Sequence, residues 1–300
     1  MGHVDSMRVD AMGNLIVEKF GSADDAKRIM IAAHMDHIGF VVTAIEKEGF
    51  LRVSQVGGIN TAISHARHVV FENGVDGVLA IQPVKEGKPG INDHFIDIGV
   101  ESEEEAKELV NIGDMAVYAP SFVELGKYQK SSPAMDNRVA CALLIEALLE
   151  LENPKNTIVG VFTTQEEVGV RGAKVAAYSV KPDIGLAVDV TLNGDTPETK
   201  FPALKLGKGP AIKFMDYSMI ASPDVRDGLI KTAEEIGVEI QREILPYGGT
   251  DGSAIQHSRG GVKTGVISIP CRYVHSPRET IDMRDMDGAL KILCAYCERA

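Results

Sequence analysis

The stretch Thr163-Thr164-Gln165-Glu166-Glu167-Val168-Gly169-Val170-Arg171-Gly172-Ala173 lies between two different sequence patterns. The apolar run at 157–162 is typical of a buried strand, and residues 173–177 predict a helix. Glu166 and Glu167 therefore lie where a strand gives way to a loop, the edge of an open α/β sheet where ligands bind. Neighbouring carboxylates repel each other and ionise readily only beside positive charge. We hypothesise that one glutamate holds a metal ion and the other transfers a proton, against the alternative of a solvated acidic loop.

The composition is that of an ordinary globular chain. Of the 300 residues, 44% are hydrophobic and 25% are charged, and the formal net charge is -12. This charge argues against a nucleic-acid partner, because no basic stripe is available for phosphates. No apolar run reaches the length of a membrane span and no leader opens the sequence, so we expect no membrane partner and a cytoplasmic location. Four scattered cysteines are too few for a disulfide framework.

The pattern of apolar residues predicts two domains of different texture. After Ser131, strands alternate with helices, which is typical of a parallel α/β sheet. Between about residues 39 and 130, short alternating runs are separated by glycine-containing turns, as in a small β-barrel or sandwich. The predicted fold class is therefore α/β, with residues 1–38 and 131–300 forming one discontinuous domain and residues 39–130 inserted into it.

Metal-binding residue types recur at the predicted strand and helix ends. Each has an ordinary alternative, since Asp136 could be a helix N-cap and His34 or His275 could be core histidines. Together, two imidazoles and several carboxylates converge on one sheet edge, which suits a pair of divalent cations, zinc above others, bridged by one carboxylate. The five places are His34 with Asp36, Asp136, Glu166 with Glu167, Asp189, and His275.

Six motifs in one order resemble a known family between Met7 and Ala300. They are Ala33-His34-Met35-Asp36, Ala134-Met135-Asp136-Asn137-Arg138, Gln165 to Ala173, Val188-Asp189-Val190-Thr191, Gly248-Gly249-Thr250-Asp251 and His275-Ser276-Pro277-Arg278-Glu279. The set resembles the tetrahedral (TET) aminopeptidases, dinuclear metallopeptidases that include glutamyl and deblocking aminopeptidases. Some members also carry the name endo-1,4-glucanase M.

The resemblance implies two divalent metal ions per subunit, zinc first, with cobalt or manganese as alternatives. One ion would be held by His34 and Asp189, and the other by Glu167 and His275. Asp136 would bridge the two.

The resemblance also implies the catalytic roles. Glu166 would be the general base, and Asp36 would hydrogen-bond the far ring nitrogen of His34. The substrate would be a short peptide. The loop containing Gly249, Thr250 and Asp251 would line the substrate pocket, although packing or helix capping by Asp251 is an equal alternative.

For the architecture, the resemblance implies a peptidase-like α/β/α catalytic domain with an inserted barrel-like dimerisation domain. Family members assemble as homo-oligomers into tetrahedral dodecamers that enclose their active sites.

Two features depart from the family pattern. His37 stands where the family usually has glutamate, which we interpret as a tolerated substitution rather than an altered metal site. Relatives also carry an additional amino-terminal helical segment, whereas this sequence starts close to its first predicted strand. We therefore expect either a shortened gene product or a domain without one covering helix.

Two other functions remain as alternatives. The chain could be an assembled but catalytically silent binding or scaffold protein, although it keeps every ligand-type residue. Glycoside hydrolysis needs two carboxyl groups roughly 5–9.5 Å apart and has no use for two histidines. The sequence also contains no tryptophan to stack on sugar rings.

Overall fold

The structure, a computed structural model, describes residues 3–84 and 87–300. Residues 1–2 and 85–86, which belong to the two predicted domains, lie outside the described residues. The strands are β1 Ser6–Val9, β2 Leu15–Lys19, β3 Arg28–His34, β4 Gly39–Ile45, β5 Leu51–Val56, β6 Arg67–Phe71, β7 Asp76–Ile81, β8 His94–Asp97, β9 Met115–Tyr118, β10 Val123–Leu125, β11 Gln129–Ser132, β12 Thr157–Thr163, β13 Ile184–Leu192, β14 Ala211–Met215, β15 Gln241–Ile244, β16 Lys263–Arg272 and β17 Glu279–Asp282. The α-helices are α1 Glu103–Leu109, α2 Met135–Glu150, α3 Arg171–Val180, α4 Pro223–Ile236, α5 Asp251–Gln256 and α6 Met283–Arg299.

An 11-stranded mixed sheet forms the larger part of the molecule, in the order β1-β2-β12-β3-β13-β16-β17-β11-β10. In addition, β14 pairs with β16, and β15 pairs with β14. The four central strands β12, β3, β13 and β16 are parallel. All residues of β12 are buried, as the continuous apolar run predicts for a strand covered on both faces. Thr163 pairs with His34, so the carboxyl ends of β12 and β3 are level.

Helices cover both faces of this sheet. Apolar side chains of α2, α4 and α6 share one large core with β3, β12, β13 and β16, and α3 packs on the opposite face together with Ile255 of α5. Gly160 allows close packing of α2, because a Cβ there would meet Leu148 at 3.0 Å. The predicted α/β/α fold class is confirmed.

The inserted segment contains a closed six-stranded barrel of antiparallel strands, in the order β4-β5-β8-β7-β6-β9. Its interior is apolar, and the rings of Phe40 and Tyr118 meet edge to face with centroids 5.6 Å apart. Closure leaves no unpaired strand edge. By strand pairing the barrel ends at Tyr118, and β10, within the predicted 39–130 segment, pairs with β11 in the large sheet.

In the part of the chain that the structure describes, no helix is both long enough and apolar enough to span a bilayer.

Candidate active site

The sheet brings the metal-type side chains to one edge. His34 ends β3, and Glu166 and Glu167 follow the end of β12. Asp189 lies within β13, next to β3 in the sheet, and His275 follows β16. Since parallel strands present their carboxyl ends at the same edge, residues distant in sequence meet there.

Asp136 lies between the two histidines. Its Oδ1 is 3.0 Å from Nε2 of His34, and its Oδ2 is 3.4 Å from Nε2 of His275. Asp189 Oδ1 is 3.6 Å from Nε2 of His34, and Glu167 Oε2 is 3.2 Å from Nε2 of His275. Two donor sets result, each with its ligand atoms within 4.8 Å of one another: the first set is His34, Asp136 and Asp189, and the second set is Asp136, Glu167 and His275.

The N-cap alternative for Asp136 does not fit the local geometry. Ala134 occupies the N-cap position of α2, and no side-chain cap hydrogen bond is present among the described residues. Asp136 and Asn137 themselves lack helical backbone angles. Asn137 donates a hydrogen bond to the Val188 carbonyl at 2.9 Å, which fastens this segment to β13. The Asp136 carboxylate is therefore free to face both histidines.

The protonation equilibria reflect how closely these charges lie. Burial acts to raise the pKa of Asp136, but hydrogen bonds from His275 and His34 outweigh it and hold that pKa well below its usual range. Burial acts to lower the pKa of His275, yet Asp136 and Glu167 raise it to about 11. The pKa of His34 is also raised, against its burial, chiefly by Asp189. Without a cation beside them, the carboxylates therefore favour the protonated form of both imidazoles.

The residues present fit divalent cations. Imidazole nitrogens together with carboxylate oxygens are the ligands that zinc takes in catalytic sites. Glu167 Oε1 is buried without a hydrogen-bond partner in the described part of the chain. A buried carboxylate oxygen normally has a partner, so this one fits a ligand site.

The turn that carries Glu166 is tightly constrained. Gln165 and Val170 both adopt left-handed backbone angles, with φ of 57° and 49°, which is unusual for a β-branched residue such as Val170. Asn14, which is fully buried, holds the turn from below by accepting from the Thr164 amide and donating to the Gly172 carbonyl, both at 3.0 Å.

Asp36 does not make the side-chain bond that the resemblance implies. Nδ1 of His34 lies 2.9 Å from the backbone carbonyl of Asp36 and 3.7 Å from its carboxylate. The carboxylate instead accepts from the backbone amides of Glu166 and Glu167, at 3.0 and 3.2 Å. The reason is geometric: the Glu166–Glu167 turn presents two adjacent N–H donors, whereas the carbonyl already occupies the histidine nitrogen. Asp36 thus orients His34 through its main chain and the glutamate turn through its side chain.

The barrel also reaches this site. A Cβ on Gly58 would stand 2.8 Å from Nδ1 of His275, and one on Gly57 would stand 3.1 Å from the Cβ of Glu167. The loop after β5 therefore presses on the second donor set, and only glycine allows this approach.

A pocket of about 590 Å³ opens beside the two donor sets. Gly249 and Thr250 line it, and Thr250 also caps α5 by accepting from the Gly252 amide. Of the two alternatives for Asp251, the packing role matches the structure, because Asp251 is not among the residues that line the pocket. Asp251 is 2% exposed and accepts a hydrogen bond from the Thr163 hydroxyl, because the first turn of α5 directs its side chain towards β12. Burial raises the pKa of Asp251 to about 7. Further lining residues are Val170, Val190, Thr191, Leu192, Lys213, Ser218, Leu245, Tyr247, Gly248, Ser253 and Val274.

A second cavity, of about 510 Å³, contains none of the predicted site residues. Its lining includes Lys27, Asp183, Asp224, Lys263 and Ala300.

His37 belongs to neither donor set in the described residues. Its Nδ1 lies 2.9 Å from the Ile38 carbonyl, and its ring lines a separate apolar cavity beside Tyr118 and Arg138. Burial lowers the pKa of His37. The geometry therefore matches a tolerated substitution rather than an altered metal site.

A buried ion cluster forms part of the pocket wall. Lys213 Nζ lies 2.7 Å from Glu243 and 3.2 Å from Asp216, and all three side chains are at most 2% exposed. Thr191 donates a further hydrogen bond to Glu243 at 2.7 Å. Burial acts to lower the pKa of Lys213, but the two carboxylates raise it, so the ammonium stays charged.

Sequence reasoning missed three contributors to this site. Glu279 belongs to the His275 motif and has no predicted role, although its carboxylate accepts hydrogen bonds from the backbone amides of Asp136 and His275. Lys213 and the Gly57–Gly58 pair belong to no sequence motif whose spacing would indicate a role in this site. The one feature that could have identified Glu279 is its position, because it is an acidic residue at the start of a short, fully buried strand.

Known proteins resemble this chain over nearly its whole length. The sequence profile of M42 glutamyl aminopeptidases matches residues 13–292. A lysyl aminopeptidase of Pyrococcus furiosus is 36% identical over 98% of this chain and 87% of its own length. The structure of an aminopeptidase from Desulfurococcus kamchatkensis matches with a TM-score of 0.95 and 38% identity, over 99% of this chain and 86% of that one. The Pyrococcus horikoshii TET1 peptidase, which can assemble into a tetrahedron or a large octahedral shell, matches with a TM-score of 0.88 and 38% identity, over 99% and 90%.

Gly58→Ala should lower the affinity of the second donor set for zinc by about 10–100-fold, because the new methyl group displaces the His275 ring. Competition with a chromophoric chelator measures this affinity. Gly260→Ala is the matched control, since a Cβ there meets nothing within 4 Å. Equal zinc affinity in the two variants would contradict the proposed contact.

Lys213→Met should lower the free energy of unfolding by about 3–5 kcal/mol, because Asp216 and Glu243 would remain buried without their cation. Denaturant titration of the metal-free protein measures the change. In the control Lys231→Met, the lysine is 77% exposed and 3.8 Å from Glu235, so a change below about 1 kcal/mol is expected. A similar small loss in both variants would show that the cluster contributes little.

Proposed function

This chain belongs to the M42 glutamyl aminopeptidase family and is an aminopeptidase, and we propose that it removes amino-terminal residues from short peptides with the help of two divalent cations. The observation that carries the proposal is the pair of donor sets that share Asp136. The first cation would be held by His34, Asp136 and Asp189. The second would be held by Asp136, Glu167 and His275, with zinc favoured and cobalt or manganese as alternatives.

Two bound cations would lower the pKa of water towards neutrality and stabilise the negative charge that develops on the substrate carbonyl oxygen. The remaining steps fall to side chains of this chain. The Glu166 carboxylate lies beside the first donor set, with Oε2 3.9 Å from Nε2 of His34. It takes a proton from the attacking water at that oxygen and returns the proton to the nitrogen of the departing amine.

The environment of Glu166 suits a general base. Burial, and then the neighbouring charges of Asp189, Asp251 and Asp136, raise the pKa of Glu166 well above its usual value, against the effect of His34. A carboxylate with a raised pKa accepts a proton more readily. Asp36 fixes the base by accepting from the Glu166 amide at 3.0 Å, so it acts as a positioning residue.

The acidic pocket also suits a positively charged ligand group. Carboxylates outnumber the cationic side chains around the two donor sets, and Lys213 is paired with two buried carboxylates of its own. With two cations bound, the acids of the donor sets would be balanced, so the attraction for the free amino group of a peptide would come from Glu166, which belongs to neither set.

Glu166→Gln should lower turnover of aminoacyl p-nitroanilides by about 10²–10⁴-fold while two equivalents of zinc stay bound, because only the proton acceptor is removed. Turnover and metal content are measured on the same preparation, before and after chelation and after return of Zn²⁺ or Co²⁺. The control Glu152→Gln changes an exposed glutamate just beyond α2.

Full activity of Glu166→Gln would show that another group is the base. Activity that survives complete chelation would show that the reaction does not need divalent cations. Chelator-insensitive release of reducing sugar would favour a glucanase instead. A chain that holds fewer than two equivalents of zinc and shows no peptide turnover would favour the scaffold alternative, whereas two tightly held equivalents would count against it.

We further propose that the barrel serves as the dimerisation domain of a homo-oligomer, with a tetrahedral dodecamer as the full assembly. The support is the assembly of the TET1 peptidase of P. horikoshii. Large apolar side chains are also exposed on this part of the chain, including Val78, Ile112 and Met115 at 48%, 64% and 57%.

Native mass spectrometry should detect a species of twelve chains, and Met115→Asp should shift the population to smaller species, because a charge would enter the proposed contact. Met7→Asp, which changes a methionine 54% exposed on β1, is the control. A monomer in the unmodified protein would reject the assembly, and an unchanged dodecamer in Met115→Asp would place the contact elsewhere.

A further inference from the structure

Glu279 joins two residues of the second donor set through their backbones. Its Oε2 accepts from the Asp136 amide at 2.9 Å, and its Oε1 accepts from the His275 amide at 2.8 Å. The side chain is 1% exposed. Both oxygens of one buried carboxylate are thus used on two residues that lie far apart in sequence.

The sheet explains why Glu279 reaches both. Strand β17 begins at Glu279 and pairs antiparallel with β11, where Glu279 stands opposite Ser132. Asp136 follows Ser132 by four residues, and His275 precedes Glu279 by four residues. The two segments therefore leave the β11–β17 pair side by side, with the Glu279 side chain between them.

Both segments are irregular and need an acceptor from elsewhere. Tyr273 and His275 adopt left-handed backbone angles, with φ of 60° and 61°, which residues other than glycine rarely adopt. Asp136 also lacks helical angles. Their backbone amides receive no regular secondary-structure partner, and a buried amide requires one.

The chemistry favours an acid at this position. A carboxylate offers two acceptor oxygens, one for each amide. Glutamine would offer one oxygen and would turn its NH₂ group towards the other backbone N–H, so only one of the two bonds could form. A role in filling space alone would not require both oxygens.

We infer that Glu279 is a positioning residue that fixes Asp136 and His275 in the geometry of the second donor set. The inference rests on the proposed function, since it assumes that this set holds a cation. A change at Glu279 affects the two donor sets unequally. The second set loses the placement of two ligands, Asp136 and His275, whereas the first set keeps His34 and Asp189 in place.

The test compares Glu279→Gln with a matched change far from the pocket. Asp285 is also fully buried, and its two oxygens accept from the Gly207 and Gly209 amides at 2.7 and 2.8 Å. Neither glycine lines the pocket. Asp285→Asn therefore removes the same kind of interaction without touching a donor set.

Chelator competition with Zn²⁺, and the visible absorption of Co²⁺ added stepwise, report the two cation affinities separately from activity. In Glu279→Gln, we expect the affinity for the second equivalent to fall by about 10–100-fold and that for the first to fall less. Asp285→Asn should keep the wild-type affinity for both equivalents, even if its unfolding midpoint falls as much as that of Glu279→Gln.

Wild-type affinity for both equivalents in Glu279→Gln would overturn the inference. An equal loss in both variants would also overturn it, since the effect would then be general destabilisation. Fewer than two equivalents in the wild type would instead reject the proposed function. In that case a crystal structure of metal-free Glu279→Gln decides: a displaced His275 supports the inference, and an unmoved one overturns it.

Discussion

The contact of one carboxylate with two imidazoles is the interaction on which the site depends. Asp136 lies 3.0 Å from His34 and 3.4 Å from His275, so each of its oxygens faces a different donor set. Buried carboxylates this close together repel one another unless positive charge lies between them. The fold therefore has to hold the acids in place, and protonated imidazoles or divalent cations have to balance them. Without positive charge the acids would repel one another, and without the fold the acids would not be close enough to hold that charge.

Around the donor sets, a second group of carboxylates holds backbone amides instead of facing the centre. Asp36 accepts from the amides of Glu166 and Glu167, and Glu279 accepts from those of Asp136 and His275. Each of these side chains satisfies two backbone amides that have no regular secondary-structure partner, so it can hold turns with unfavourable backbone angles. The carboxylates of the donor sets thus provide the chemistry, and Asp36 and Glu279 hold the backbone in the geometry that this chemistry needs.

Much of this arrangement could be predicted from the sequence, because periodicity locates strand ends and strand ends locate ligands. The apolar runs place His34 and the Glu166–Glu167 pair at strand ends, whereas the choice of Glu167 as the metal ligand comes from the family resemblance. The hydrogen-bond partners could not be predicted, because they depend on how a loop turns its amides. The side chain of Asp36 was therefore expected at the wrong partner, and the sequence left packing and pocket lining equally open for Asp251. Glu279 was missed because its partners meet only when β11 and β17 pair.

The inserted barrel has a consequence for how the chain finds its fold. β3 must fit between β12 and β13, both of which follow it by more than a hundred residues. Closing such a long loop costs chain entropy before any sheet contact compensates. The barrel shortens that loop, because its first strand β4 pairs with its last strand β9, so the insertion leaves the sheet and returns to it from neighbouring points. A barrel that folds first would bring β3 close to the rest of its sheet before β12 and β13 complete it.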